Sequence, residues 1–270
     1  MLVVAALAVG VAVGLIAGLT GVGGGVLMVP FLYVLYGRLG VPVADATALA
    51  HATSLAVIVP TAIRGLAGYR GADLVKWRAA VPIALTGAVS AVLTAQWATR
   101  LPGPVLRVGF GIFLLAVSID LLLRTSAGDA DALDDESAKH LIAALFIGVL
   151  IGAISAALGV GGGIPATVAM YYLLRMPFKA IAPTSLAIIT VTGLAGSVSY
   201  LFQPTGPLPF GWVVGHVDFG HGLPLALGAV AATPFGVKLN KGASAFTLRR
   251  IFGGLLLVLG LGLIIENLWC

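Results

Sequence analysis

Long apolar runs separated by short polar stretches organise the chain, at about 2–36, 43–68, 79–97, 104–123, 140–174, 180–202, 222–239 and 250–268. They do not alternate with the period of two that marks a half-buried strand. Several reach the ~20 residues that an α-helix needs to cross a bilayer. A transmembrane β-barrel would instead show short alternating strands with polar lumen positions. The pattern therefore predicts an all-α polytopic membrane protein of about eight transmembrane segments.

Two of the runs, 2–36 and 140–174, are too long for one straight crossing, and each holds a glycine cluster. The first reads "GLTGVGGGVLMVP" from Gly18 to Pro30, the second "AALGVGGGIPATV" from Ala156 to Val168. A glycine inside a helix costs roughly 1 kcal/mol relative to alanine, so a cluster there predicts a break. The clusters sit at corresponding places in two halves. "GVGGG" occurs at Gly21–Gly25 and Gly159–Gly163, "TSLA" at Thr53–Ala56 and Thr184–Ala187, and "LR..FG" at Leu106–Gly111 and Leu248–Gly253. Three signals in one order predict an internal duplication: an N-terminal repeat over 1–124, an acidic polar linker over 125–139, and a C-terminal repeat over 140–270, with four segments each. An even number of crossings per half would make the repeats parallel and an odd number inverted.

Corresponding glycine-interrupted segments in two halves point to a transporter binding site. Broken helices expose backbone N–H groups, and a helix N-terminus favours anions. Lipid tolerates such backbone only where it lines a cavity or is buried in protein. The competing reading is close helix packing through small residues.

Composition sharpens the class. The 270 residues are 60% hydrophobic and 9% charged, against about 25% charged in a soluble domain. The net charge of +5 is read as Lys and Arg flanking helices, not as a nucleic-acid surface. The single cysteine, Cys270, leaves no intrachain disulfide and no thiolate cluster.

With both glycine motifs, both "TSLA" motifs and the ending "LRRIFGGLLLVLGLGLI" in view, the chain resembles the TauE/SafE family of sulfite exporters from about Gly14 to Ile265. That resemblance implies a duplicated, eight-segment transporter of the bacterial inner membrane that exports sulfite or small organosulfonates, with no particular substrate fixed.

A small anion in a low-dielectric site needs hydrogen-bond donors. The expected substrate-binding residues are Gly21, Gly23, Gly24 and Gly25 with Thr53 and Ser54, matched by Gly159, Gly161, Gly162 and Gly163 with Thr184 and Ser185. The competing reading of the hydroxyls is a bond back to the preceding turn. Pro60 frees a carbonyl and kinks its helix, which suits a gate or simple bending. Ionisable residues within a membrane are functional candidates. His51 and Arg64 qualify, and their counterparts Ala182 and Ala195 are apolar. His51 could bind a proton; Arg64 could attract an anion or lie at the interface. No carboxylate falls mid-span, so no buried acidic proton relay is expected. His216, Asp218 and His221 in "GHVDFGH" are metal-ligand types, but their spacing fits no strong motif and they are read as a solvated loop.

The expected function is a secondary transporter moving a small oxyanion by alternating access, with the lipid bilayer and a small anionic substrate as partners, no cofactor, no nucleic acid, and self-association left open. The alternatives are a transporter of another small solute and, from another class, an integral membrane enzyme or scaffold. An enzyme would require convergent acid, base or metal groups, which the sequence does not present.

Overall fold

A computed structural model describes residues 2–70, 73–98, 103–123, 138–206, 208–209, 211–242 and 244–268. Most of the acidic linker expected over 125–139, together with Arg124 and Cys270, lies outside them. The described chain forms α1 (Leu2–Thr20), α2 (Gly25–Arg38), α3 (Val43–Ala67), α4 (Trp77–Ala98), α5 (Gly103–Leu123), α6 (Ala138–Leu158), α7 (Gly163–Tyr172), α8 (Phe178–Leu201), α9 (Phe219–Gly242) and α10 (Ala245–Leu268). A two-residue hairpin, β1 (Val213–Val214) with β2 (Val217–Asp218), precedes α9. Among the described residues, six helices are long and apolar enough to cross a membrane: α1, α3, α4, α6, α8 and α9. The protein is an α-helical, multi-pass membrane protein.

Lipid forces each crossing segment to satisfy its own backbone, and threonines inside the helices do the same. Thr20, Thr47, Thr61, Thr190 and Thr233 each donate to the carbonyl four residues back. Helices α3 and α8 form the buried centre. The outer helices turn large apolar side chains outward, among them Leu85, Val89 and Leu93 of α4, Ile142 and Phe146 of α6, and Leu227 and Phe235 of α9.

Small residues set the helix pairs. Gly10, Gly14 and Gly18 of α1 face the backbone of Leu225, Ala229 and Thr233 on α9, so the two helices run parallel. Helices α4 and α6 are also parallel: Thr86 donates to the Leu145 carbonyl at 3.1 Å, Ser90 to that of Val149 at 2.7 Å, and Gly87 meets Gly148 and Gly152. Helix α3 follows α9 in parallel, with Thr53 at Gly222 and Gly65 at Thr233. The pairs α3 with α8 and α5 with α10 are antiparallel. Gly65 meets Leu186 while Leu55 meets Gly196, and Ser118 donates to the Gly253 carbonyl while Gly111 meets Gly260.

Asn240 near the end of α9 ties down the end of α1. Its amide donates to the Leu19 carbonyl at 2.6 Å and accepts from Tyr69 O–H at 2.9 Å. Asn240→Leu strands both partners. A lost half-buried hydrogen bond costs about 1 kcal/mol, so the variant is expected to unfold a few degrees earlier in a detergent thermal melt.

Candidate functional site

The chain leaves the helix at both "GVGGG" motifs. Gly21, Gly23 and Gly24 have φ of 75°, 81° and 80°, and Gly159, Gly161 and Gly162 have 66°, 74° and 78°. That left-handed conformation disfavours any residue with a Cβ. It turns the chain back sharply: Gly25 at the start of α2 lies against Ile58, and Tyr33 further along meets His51, so α2 runs antiparallel to α3.

The two turns touch. A Cβ on Gly25 would lie 2.7 Å from Val160 Cα, and one on Gly163 would lie 2.3 Å from the Val22 carbonyl oxygen. Ile58 of α3 and Ile189 of α8 fill the space beside them: Ile58 against Gly23, Gly25 and Gly161, and Ile189 against Gly23. The first-turn N–H groups of α2 and α7 thus arise at a buried junction of both halves of the chain.

Helical spacing turns one face of α3 and one of α8 to this junction. On α3, His51 packs on Gly159 and Ile58 on Gly161, with Ser54 between them. On α8, Ala182 packs on Gly21 and Ile189 on Gly23, with Ser185 between them. Ser185 donates to the Gly163 carbonyl at 3.4 Å, and Thr192 to that of Gly161 at 3.4 Å. The Ser54 hydroxyl is fully buried and has no hydrogen-bond partner among the described residues. So is that of Ser155, which faces Gly162 one turn before the second glycine turn. Ser155 is absent from the expected set because its helix reads as uninterrupted apolar sequence.

The paired serines do not meet. In the antiparallel register of α3 and α8, Ser54 lies near the level of Gly196 and Ser185 near that of Gly65. At 1.5 Å per residue they stand ~17 Å apart along the axes, with the levels of Ile58 and Ile189 between them.

The threonines serve a different bond. Thr53 Oγ1 accepts from the Asp218 backbone N–H at 3.0 Å, and Thr184 Oγ1 accepts from that of Lys76 at 3.0 Å. Each fastens its helix to the segment that opens a helix of the other half, α9 or α4. His51 is fully buried and in contact with the Tyr33 hydroxyl. Pro60 and Arg64 lie exposed on the outer side of α3, away from the glycine turns.

The "GHVDFGH" stretch is where the structure departs furthest from the sequence reading. Asp218 is fully buried, His216 is 6% exposed, and the His221 side chain is 14% exposed. His221 Nδ1 lies 2.7 Å from Asp218 Oδ2, and the His221 N–H donates to Oδ1 at 3.2 Å. The Tyr36 hydroxyl is shared between Asp218 Oδ2 at 3.1 Å and Thr53 Oγ1 at 3.3 Å. Burial holds the His216 imidazole below its ordinary pKa, and the Asp45 carboxylate opposes that shift. Sequence spacing gave no sign of this, because the hairpin folds the loop inward against α3. Asp120 accepts from the Tyr172 hydroxyl at 2.9 Å.

The family model described as Sulfite exporter TauE/SafE matches residues 6–263. The chain is 28% identical to a probable membrane transporter protein of Methanocaldococcus jannaschii, over 94% of this chain and 92% of that one. It is 26% identical to a probable membrane transporter protein of Bacillus subtilis, over 96% and 97% of the two chains. A probable membrane transporter protein of Xylella fastidiosa is 28% identical over 89% and 87%. No solved structure matches the chain. A multi-pass helical protein matched over nearly its whole length by this family model, the chain belongs to the TauE/SafE family of membrane transporters.

Proposed function

We propose that the protein is a secondary transporter that carries a small oxyanion, sulfite or an organosulfonate, across the bacterial inner membrane by alternating access. In this reading residues 1–124 and 140–270 are two repeats joined by the linker, each with one glycine-broken segment and three continuous ones. The antiparallel packing of α3 with α8 and α5 with α10, beside the parallel pairs α1 with α9 and α4 with α6, supports repeats that are inverted about an axis in the membrane plane. Inverted repeats with broken helices meeting at the middle suit a transporter whose halves rock about a central site.

The observation that carries the reading is the contact of the two glycine turns beside buried hydroxyls with no partner, Ser54 and Ser155. A buried O–H without an acceptor costs about 1–3 kcal/mol, and an oxyanion supplies that acceptor. First-turn N–H groups of α2 and α7 would complete its shell. Ser54 and Ser185, on opposite sides of the two isoleucines, are then two half-sites occupied in turn as the turns shift. The family description and the relatives' names support transport rather than catalysis.

The test is sulfite efflux from proteoliposomes, with sulfate, thiosulfate, sulfoacetate and chloride as competitors. Saturable sulfite flux is expected. Ser54→Ala removes one hydrogen bond to a charged ligand, worth about 1.5–3 kcal/mol, so its kcat/KM should fall tenfold or more at matched reconstitution. Folded protein that moves none of these anions overturns the reading.

A further inference from the structure

We propose that Asp218 is a proton-binding site that couples the anion to a proton, reached from the surface through His221 and joined to the transport site through Tyr36 and Thr53. The proposal rests on the transport reading above.

The geometry is one-sided. Asp218 is fully buried, and both carboxylate oxygens accept hydrogen bonds: Oδ1 from the His221 N–H, Oδ2 from Tyr36, with His221 Nδ1 at 2.7 Å. His221 is the partly exposed member of the group, so a proton from water has a short way in. Tyr36 and Tyr33 lie one turn apart on α2, and Tyr33 touches His51, which packs on Gly159 of the second glycine turn. Hydrogen bonds join His221, Asp218, Tyr36 and Thr53, and Tyr33 with His51, one turn along α2, stands between that group and the glycine junction. The position matching Asp218 in the other half is Lys76, whose N–H likewise binds a motif threonine. The residue matching His51 is Ala182, which packs on Gly21 as His51 packs on Gly159. The titratable groups in contact with Asp218 are Tyr36 on α2 and His221 on α9, and α3 presents the hydroxyl of Thr53. His216 sits beside it in the hairpin against Tyr200 of α8, with Asp45 near His216.

The simpler role for Asp218 is to cap α9, since its Oδ1 receives the N–H three residues on. A cap explains Oδ1. It does not explain a second oxygen placed between a tyrosine hydroxyl and an imidazole, nor the bond from the Asp218 N–H to the residue next to Ser54.

Coupling follows from charge. An ionised Asp218 opposes an anion at Ser54. One proton from a hydronium ion forms a carboxyl O–H as the hydronium O–H breaks and water is released, and the neutral carboxyl no longer opposes the anion. Linkage is reciprocal: if protonation favours anion binding, anion binding takes up a proton. The anion and the proton then travel together.

The probe is methanesulfonate, whose charge stays fixed across the working pH range, so a pH effect belongs to the protein. Wild type is expected to bind it more tightly as pH falls, and to acidify vesicles loaded with a pH dye as the sulfonate enters. Asp218→Asn keeps the cap, because asparagine caps as well as aspartate. It should lose both the pH dependence and the dye signal. A variant that retains both overturns the proposal. Carboxyl infrared titration of purified protein without substrate is independent of what is carried. A protonated-carboxyl band in the difference spectrum of wild type minus Asp218→Asn, at a pH where sulfonate binds, is expected; no such difference band there overturns the proposal, even where sulfonate flux is seen. Conversely, the band without flux of any anion leaves proton binding standing and overturns the oxyanion reading. Should Asp218→Asn not fold, His221→Gln takes its place. Loss of the surface-facing imidazole should slow the dye signal several-fold at matched reconstitution, and a signal as fast as wild type overturns the proposal.

Discussion

Gly163→Ala is expected to abolish most transport while leaving a folded protein in the membrane. The residue opens α7 with ordinary helical geometry, so alanine meets no conformational penalty there and is the better helix former. The obstacle is space. The new methyl would lie 2.3 Å from the Val22 carbonyl oxygen and 2.5 Å from Val22 Cα. Those are backbone atoms of the opposite glycine turn and cannot swing aside as a side chain tip can. The turns must separate, at a cost of about 1–3 kcal/mol and occasionally more, which is about fivefold to 150-fold in any step that needs them closed. Gly25→Ala should act alike, since its methyl would lie 2.7 Å from Val160 Cα. The double variant should cost less than the sum, because both changes relieve themselves by the same separation. Gly37→Ala, with nothing within 4 Å of its Cβ, is the control and should transport like wild type. Transport rates in proteoliposomes, normalised to reconstituted protein, decide it. Wild-type flux through Gly163→Ala would remove the glycine junction from the mechanism.

Part of the candidate site was legible in the sequence. Paired "GVGGG" motifs were legible because helix interiors have one strong reason to avoid clustered glycine, and two clusters in matching places need a shared cause. Ser54 and Ser185 were legible through the repeated "TSLA". Their separation was not, because a repeat gives correspondence without direction. Only the antiparallel register of Leu55 with Gly196 and Gly65 with Leu186 places them on opposite sides of the isoleucines. Thr53 and Thr184 looked like ligand donors, yet their hydroxyl oxygens fasten backbone N–H groups of the other half. Nothing local marks such a bond, since its partners lie 165 and 108 residues away. Arg64 drew notice as an ionisable residue in an apolar run, but a helix has two faces, and Arg64 and Pro60 take the outer one. Asp218 was hidden for the opposite reason. Its neighbours are glycine, histidine and aromatic residues typical of an exposed loop, and its burial comes from the hairpin that folds it onto α3.

Gly14→Leu should have the larger effect on stability, since it strikes the longest close helix pair. In lipid the hydrophobic effect contributes little to helix association, and close backbone approach takes its place. Glycines four residues apart on α1, at Gly10, Gly14 and Gly18, form a groove for α9, which answers with Gly228 and Gly236 against Leu7 and Leu15. A Cβ on Gly14 would lie 2.1 Å from the Ala229 carbonyl oxygen, and a leucine adds three more carbons beyond it. The helices must part along much of their length, which unseats Asn240 from the end of α1 as well. No monodisperse peak in detergent chromatography and no cooperative melt are expected. Gly152→Leu should fail in the same way, because its Cβ would meet the Gly87 carbonyl oxygen at 2.0 Å in the α4–α6 pair. Gly109→Leu, with open space around its Cβ, should behave as wild type. The comparison separates two reasons for glycine in one chain. Gly14 and Gly152 let helices approach, so a large residue there should remove the fold. Gly25 and Gly163 let two turns touch, so a single methyl there should remove the transport and spare the fold. If both classes of variant lost the folded protein together, the glycine junction would be part of the scaffold, and the transport site would have to be sought beside it, among the groups from His221 to His51.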